Sequence, residues 1–181
     1  MTVPALAPFL EDARTRRTAT FLFTDIVGST EMLTMLGEET WLRALRAHNG
    51  VVQEAVDRNG GNSLKFLGDG WMVTFHCPRD AVDAAVAVQR ALAEDPAPDG
   101  FRVRIGIHTG TALAENDDFV GKDVVLASRI TREAGPNEIV ASADVVDVLG
   151  GGPEWDRFDG GRIAHLKGLG PHLVFSVRWQ A

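Results

Sequence analysis

The stretch that most constrains this chain is Thr20-Phe21-Leu22-Phe23-Thr24-Asp25-Ile26-Val27-Gly28-Ser29-Thr30. Phe21, Leu22 and Phe23 form an apolar run of β-formers followed at once by turn residues, the pattern of a buried strand. That strand carries one carboxylate, Asp25, to its C-terminal end. Gly28-Ser29-Thr30 then opens a segment in which Met32, Leu33, Met35 and Leu36 recur at helical spacing, so amides at the helix start lack partners. A carboxylate beside free amides suits a phosphate that arrives with a divalent cation. On this stretch alone, a strand–turn–helix in which Asp25 only caps the helix is an equal account.

A chain of 181 residues, 45% hydrophobic, can bury one good core and is too short to expect two. The formal net charge of -7 comes without a basic block, which disfavours nucleic acid as the main partner. A nucleotide is still compatible, because a few placed cations and a metal can override the global sign. The single Cys77 excludes an internal disulfide framework and fits a reducing compartment. No apolar run has the length of a membrane segment, and prolines and charges interrupt residues 2–17 where a signal peptide would be apolar. The expected location is cytoplasmic.

Residues 1–17 read as a lead-in whose Arg14, Arg16 and Arg17 form a solvated cluster, and residues 18–181 as one α/β domain. The patterning predicts a strand over 18–25, two helices broken near Gly37 with the second over 38–58, and strands over 63–67 and 71–76 around a Gly68-Asp69-Gly70 hairpin turn. A helix rich in small residues follows over 80–93, then a loop over 96–100 and a strand over 101–109. After the acidic loop 115–118, residues 119–134 begin irregularly and become helical. A strand over 139–141, a helix over 143–149 and two strand-like pieces over 162–166 and 172–179 complete the chain.

The second carboxylate, Asp69, sits in the turn between adjacent strands and can lie beside the end of the strand that carries Asp25. Two carboxylates at neighbouring strand ends can bridge a pair of divalent ions, as phosphoryl and nucleotidyl transfer require. Taken alone, Asp69 is more simply a turn residue. The five histidines lack metal-ligand spacing, and His108 reads as a packing or hydrogen-bonding residue. Cys77 has no activating pattern around it. Trp41, Trp71, Trp155 and Trp179 read as core or interface residues.

Five segments in order resemble the catalytic domain of class III nucleotidyl cyclases, especially short bacterial adenylate cyclases. They are Phe23 through Thr30, Lys65-Phe66-Leu67-Gly68-Asp69-Gly70, Arg104-Ile105-Gly106-Ile107-His108-Thr109-Gly110, Asp118 through Arg129, and Leu166-Lys167-Gly168. The resemblance covers residues 18 to about 179 and implies a ferredoxin-like α+β sandwich related to polymerase palm domains. It implies head-to-tail homodimers with two equivalent sites between subunits. Asp25, Asp69 and the Ile26 carbonyl match the family's ligands for two Mg²⁺ or Mn²⁺ ions. The amides from Ile26 through Val27, Gly28, Ser29 and Thr30 would cradle phosphates, with Arg104 and Lys167 as phosphate-neutralising cations. Lys65 and Asp118, with Asp117 adjacent to it, match the adenine-selecting positions. A lysine donates to N1 of adenine and a carboxylate accepts from the 6-amino group, whereas guanine presents a donor at N1. Guanylate cyclases usually carry glutamate in place of the lysine. Arg129 matches the arginine that stabilises charge on the transferring phosphate. Without the resemblance, Arg104 reads equally as an exposed strand residue, Arg129 as a helix-surface partner of Glu133, and Lys167 as a turn cation.

One position departs from the family pattern. Where an asparagine usually orients the ribose, four residues before Arg129, this chain has Val125, which can neither donate nor accept. The expected consequence is slower turnover, or a water or Ser128 taking over the contact. The leading expectation is an adenylate cyclase making 3′,5′-cyclic AMP and pyrophosphate from ATP. The alternative is a weak or inactive cyclase-like domain that binds nucleotide or pairs with another cyclase chain. A diguanylate cyclase is a further reading within enzymes, but the Gly-Gly-Asp/Glu-Glu-Phe turn of that family is absent.

Overall fold

The computed structural model describes residues 15–94, 101–115 and 118–180. The opening stretch forms strand β1 (Thr15–Ile26), in which successive side chains point to opposite faces. Phe21 and Phe23 bury into one layer and Leu22 into another. There follow α1 (Ser29–Leu36), α2 (Glu38–Arg58), β2 (Asn62–Phe66), β3 (Trp71–Phe75), α3 (Pro78–Glu94), β4 (Val103–Glu115), β5 (Asp118–Val120) and α4 (Lys122–Glu133). The chain continues through β6 (Ile139–Ser142), α5 (Ala143–Leu149), a 3₁₀ turn (Gly152–Arg157), β7 (Arg162–Leu166) and β8 (Gly170–Ser176).

The strands form an 8-stranded sheet in the order β2-β3-β1-β4-β6-β8-β7, with β5 pairing β4 off that path. The first four strands, with helices before β2 and before β4, make the βαββαβ arrangement of a ferredoxin-like sandwich, as expected. Only β4 and β6 pair in parallel among the described strands.

Helices α2, α3 and α5 cover one face, where Leu22, Val73, Ile105 and Ile107 meet Val52, Val56, Ala85 and Val145. The small residues of α3 let it lie close: Ala81, Ala84 and Ala85 are fully buried. Helix α4 covers the other face, with Ala127 against Phe21, Phe23 and Met72, and Ile130 against Val140 and Val174. It approaches β4 so closely that a Cβ on Gly106 would lie 2.4 Å from the Thr131 amide nitrogen. This contact brings the last turn of α4 over the end of β1.

The structure corrects several boundaries. Strand β1 begins at Thr15, so the last three lead-in residues belong to the sheet. Strand β4 runs on to Glu115 because the two strands pair from Ile26↔Val103 to Thr15↔Ala114. The β1 side of that overhang is polar, and a Thr18–Thr111 hydroxyl pair at 3.3 Å joins the two strands there. It gives β5 an edge to pair with, where only irregular chain was expected. Strand β8 stops at Ser176 rather than 179, and Trp179 instead donates its indole N–H to the Asn137 carbonyl at 2.8 Å. The lead-in up to residue 14, the loop over 96–100 and positions 116–117 of the acidic loop lie outside the described residues. No helix among the described residues is long and apolar enough to cross a membrane.

Candidate active site

Two contacts fasten the β2–β3 hairpin to the end of β1. The Trp71 amide donates to Thr24 Oγ1 at 2.9 Å, and a Cβ on Gly70 would lie only 1.9 Å from the Thr24 carbonyl oxygen. Asp69, one residue before Gly70, is thereby held beside Asp25, one residue after Thr24. Both carboxylates line one cavity of about 180 Å³, which Leu67, Ser128, Thr131 and Arg132 also line. The juxtaposition expected from the sequence is therefore present.

Each carboxylate already has a partner. Asp25 sits opposite Arg104 in the β1–β4 register and accepts from its Nε at 2.5 Å and also from its Nη2. Arg104 is thus not merely an exposed strand arginine. Burial pushes the Asp25 carboxyl above its usual range; Arg104 pulls it back without cancelling the effect, and repulsion from Asp69 adds a smaller upward push. Asp69 Oδ2 accepts from Ser29 Oγ at 2.5 Å, which ties the start of α1 to the hairpin.

The turn into α1 uses Gly28 in the left-handed region, φ 69°, and no side chain caps the helix. Amides of the first helical turn consequently lack intrahelical partners. Val27 corrects the phosphate-cradle expectation. Its N–H donates to the Arg102 carbonyl at 2.8 Å, because the β1–β4 ladder continues one residue past Ile26. Of the four residues Val27 through Thr30, this leaves Gly28, Ser29 and Thr30 for the expected cradle.

Lys65 on β2 and Asp118 on β5 form a second group. Lys65 Nζ lies 2.5 Å from Asp118 Oδ2, and Asp118 Oδ1 accepts from the Phe119 amide at 2.8 Å. Burial would raise the Asp118 carboxyl, but Lys65 and that amide outweigh it and hold it below its usual value. Asp118 lines a separate cavity of about 280 Å³ with Asn62, Leu64 and Phe119. The carboxylate cavity includes neither Lys65 nor Asp118.

Arg129, half-buried on α4, makes no hydrogen bond or ion pair among the described residues and does not line the carboxylate cavity. The pairing with Glu133 that the plainer account requires is not formed. Lys167 is exposed in the β7–β8 turn, at the far edge of the sheet from β2. Val125 is 46% exposed on α4. Arg132 is the site residue that sequence reasoning missed; its only sequence signal is the helical spacing from Ser128. His108 is buried with Nδ1 2.8 Å from Ser142 Oγ, in keeping with a hydrogen-bonding role.

Among the described residues no three His, Cys, Asp or Glu side chains converge as a metal cluster. A divalent ion at Asp25 and Asp69 would meet only hard oxygen donors and would complete its shell with backbone, water or phosphate oxygens. That donor set fits Mg²⁺ or Mn²⁺, which commonly take one or two carboxylates plus substrate phosphates.

Comparison with known proteins identifies the family. The family model for the adenylate and guanylate cyclase catalytic domain matches residues 11–177. An uncharacterised protein of Mycobacterium tuberculosis is 32% identical over 158 residues, covering 86% of this chain and 40% of its own length. An adenylate cyclase of Neurospora crassa is 32% identical over 152 residues, covering 69% of this chain and 7% of its own length. The chain thus spans less than half the length of these relatives. Among solved structures, the guanylyl cyclase Cya2 superposes with TM-score 0.78 at 25% identity, over 91% of this chain and 93% of that one. The chain belongs to the adenylate and guanylate cyclase catalytic domain family, the class III nucleotidyl cyclases.

Proposed function

We propose that this chain is an adenylate cyclase that converts ATP to 3′,5′-cyclic AMP and pyrophosphate at sites shared across a homodimer. The observation that carries the choice of ATP is the Lys65–Asp118 pair, 2.5 Å apart. A fixed donor beside a fixed acceptor complements the N1 acceptor and 6-amino donor of adenine, and mismatches guanine at N1.

Class III cyclase domains use divalent metals, bind nucleotide and typically act as dimers. Two such ions, when bound, would lower the pKa of the ribose 3′-hydroxyl and neutralise the triphosphate. Asp25, Asp69 and the Ile26 carbonyl would hold them. The amides of Gly28, Ser29 and Thr30 would orient phosphate oxygens, joined by Arg104 once it turns from Asp25. Lys65, Asp118, Arg129 and Lys167 of the partner subunit would select the base and balance charge on the phosphates. This division fits the separation of the Lys65–Asp118 pair from the carboxylate cavity within one protomer. In the reaction the 3′-oxygen bonds to the α-phosphorus and its proton passes to water. The α–β bridging P–O bond breaks, and pyrophosphate leaves with the electron pair.

The test is incubation of the purified chain with Mn²⁺ and either ATP or GTP, with cyclic nucleotide measured by chromatography. Cyclic AMP in clear excess over cyclic GMP supports the proposal. Val125 favours the second reading, a non-catalytic domain. No product from either nucleotide, from a confirmed dimer that still binds metal–ATP, would establish that reading instead.

A further inference from the structure

Arg132 stands in the last turn of α4, one helical turn beyond Ser128, and both residues line the cavity that holds Asp25 and Asp69. The two cations near these carboxylates are in different situations. Arg104 directs both Nε and Nη2 at Asp25 Oδ2, so its charge is matched within the protein. The exposed Arg132 side chain forms no hydrogen bond or ion pair among the described residues, yet its charge reaches Asp25. A basic residue in the last turn of a helix is favoured by the helix dipole alone, which would explain an arginine here but not its place on the cavity wall. An unmatched guanidinium on a small polar cavity is the arrangement that binds phosphate oxygens through paired N–H donors.

We propose that Arg132 is a phosphate-binding residue that holds the pyrophosphate portion of the nucleotide, and then the leaving pyrophosphate, over Asp25 and Asp69 of its own protomer. This inference rests on the nucleotidyl cyclase reading. It adds a ligand that none of the five sequence segments contains, since the fourth ends at Arg129.

The experiment is calorimetric titration of magnesium pyrophosphate into the full chain and its Arg132→Gln and Arg132→Lys variants, with cyclic nucleotide formation and Tm measured in parallel. Arg132→Gln is expected to weaken pyrophosphate binding about ten-fold or more, the scale of one charge-assisted hydrogen bond. It should raise KM for ATP more than it lowers kcat and leave Tm within a few degrees. Arg132→Lys keeps the charge and should recover part of the affinity. Pyrophosphate affinity in Arg132→Gln within about two-fold of the unaltered chain, or no pyrophosphate binding by the unaltered chain, overturns the inference. Arg132-dependent pyrophosphate binding by a chain that makes no cyclic nucleotide supports the inference and overturns the cyclase reading, so the two fail separately.

Discussion

Lys65 Nζ lies 2.5 Å from Asp118 Oδ2, joining β2 to the short β5 across 53 positions of sequence. The pair is mutually neutralising, so changing the sign of one member affects the other. If Lys65 donates to adenine N1 as proposed, Lys65→Glu removes that donor and sets two carboxylates against each other. The kcat/KM for ATP is expected to fall at least ten-fold, with a smaller fall or a gain for GTP. Initial rates with both nucleotides check this; an unchanged ATP to GTP ratio would remove both residues from base selection.

Gly70 places Asp69. A Cβ there would lie 1.9 Å from the Thr24 carbonyl oxygen, a backbone atom that cannot move without shifting Asp25. Gly70→Ala must therefore push the hairpin off β1, at a cost of about 1–3 kcal/mol in stability. An ångström of displacement between the two carboxylates is expected to lower the rate about 10²-fold. Thermal melts and initial rates test the two effects together, and native-like activity would show that the carboxylates need not be juxtaposed.

The elements legible in the sequence are those whose signal is local. Asp25 follows an apolar strand, and Asp69 is set between glycines in a hairpin turn, so both could be placed at strand ends before any contact was known. The ferredoxin-like order follows from the alternation of strand and helix patterns. Strand β5 was not legible, because three residues carry little pattern and their pairing depends on the overhang of β4 beyond the core. Nor was the engagement of the Val27 amide, which depends on a carbonyl 75 positions away. Arg132 was hidden for the same reason. Its relation to Asp25 is set by the close seating of α4 on Gly106, a long-range contact that helical spacing alone does not encode.

His108 gives the fold a pH dependence apart from the site. Burial lowers its pKa below the usual 6.5; Asp144 from α5 and Asp123 from α4 pull it up, and His172 from β8 pushes it down. Folding therefore favours the neutral ring. That contribution is complete above about pH 6.5 and is lost as pH falls through the depressed folded-state value. Buried His48, also lowered chiefly by burial, acts in the same direction. Tm is expected to drop between about pH 7 and 5, and His108→Gln should flatten part of that slope. An identical slope in the variant would show that other groups set it.

The shared-site proposal makes a complementation prediction. Asp25→Ala disables the carboxylate half of a site and Lys65→Ala the base-selecting half, so each homodimer should be nearly inactive. In a mixed dimer one of the two sites regains both halves, and up to about half of the native rate per mixed dimer should return. Activity per chain should also fall on dilution as dimers dissociate. No recovery in demonstrated mixed dimers would mean that one protomer carries the whole site.

Val125 is 46% exposed on α4, so its side chain is not held by the core. Valine and asparagine have similar helix propensities, and Val125→Asn should leave Tm almost unchanged. What it adds is a donor and an acceptor where the family orients the ribose. One new hydrogen bond made in the transition state contributes about 0.5–1.5 kcal/mol, or roughly a two- to ten-fold rise in kcat. If Ser128 already holds the ribose, Val125→Asn should have little effect alone and should rescue Ser128→Ala. Rates of the two single variants and the double variant distinguish these arrangements through their non-additivity. A clear loss of activity in Val125→Asn, with dimer and Tm intact, would show that the valine is part of a different way of seating the nucleotide.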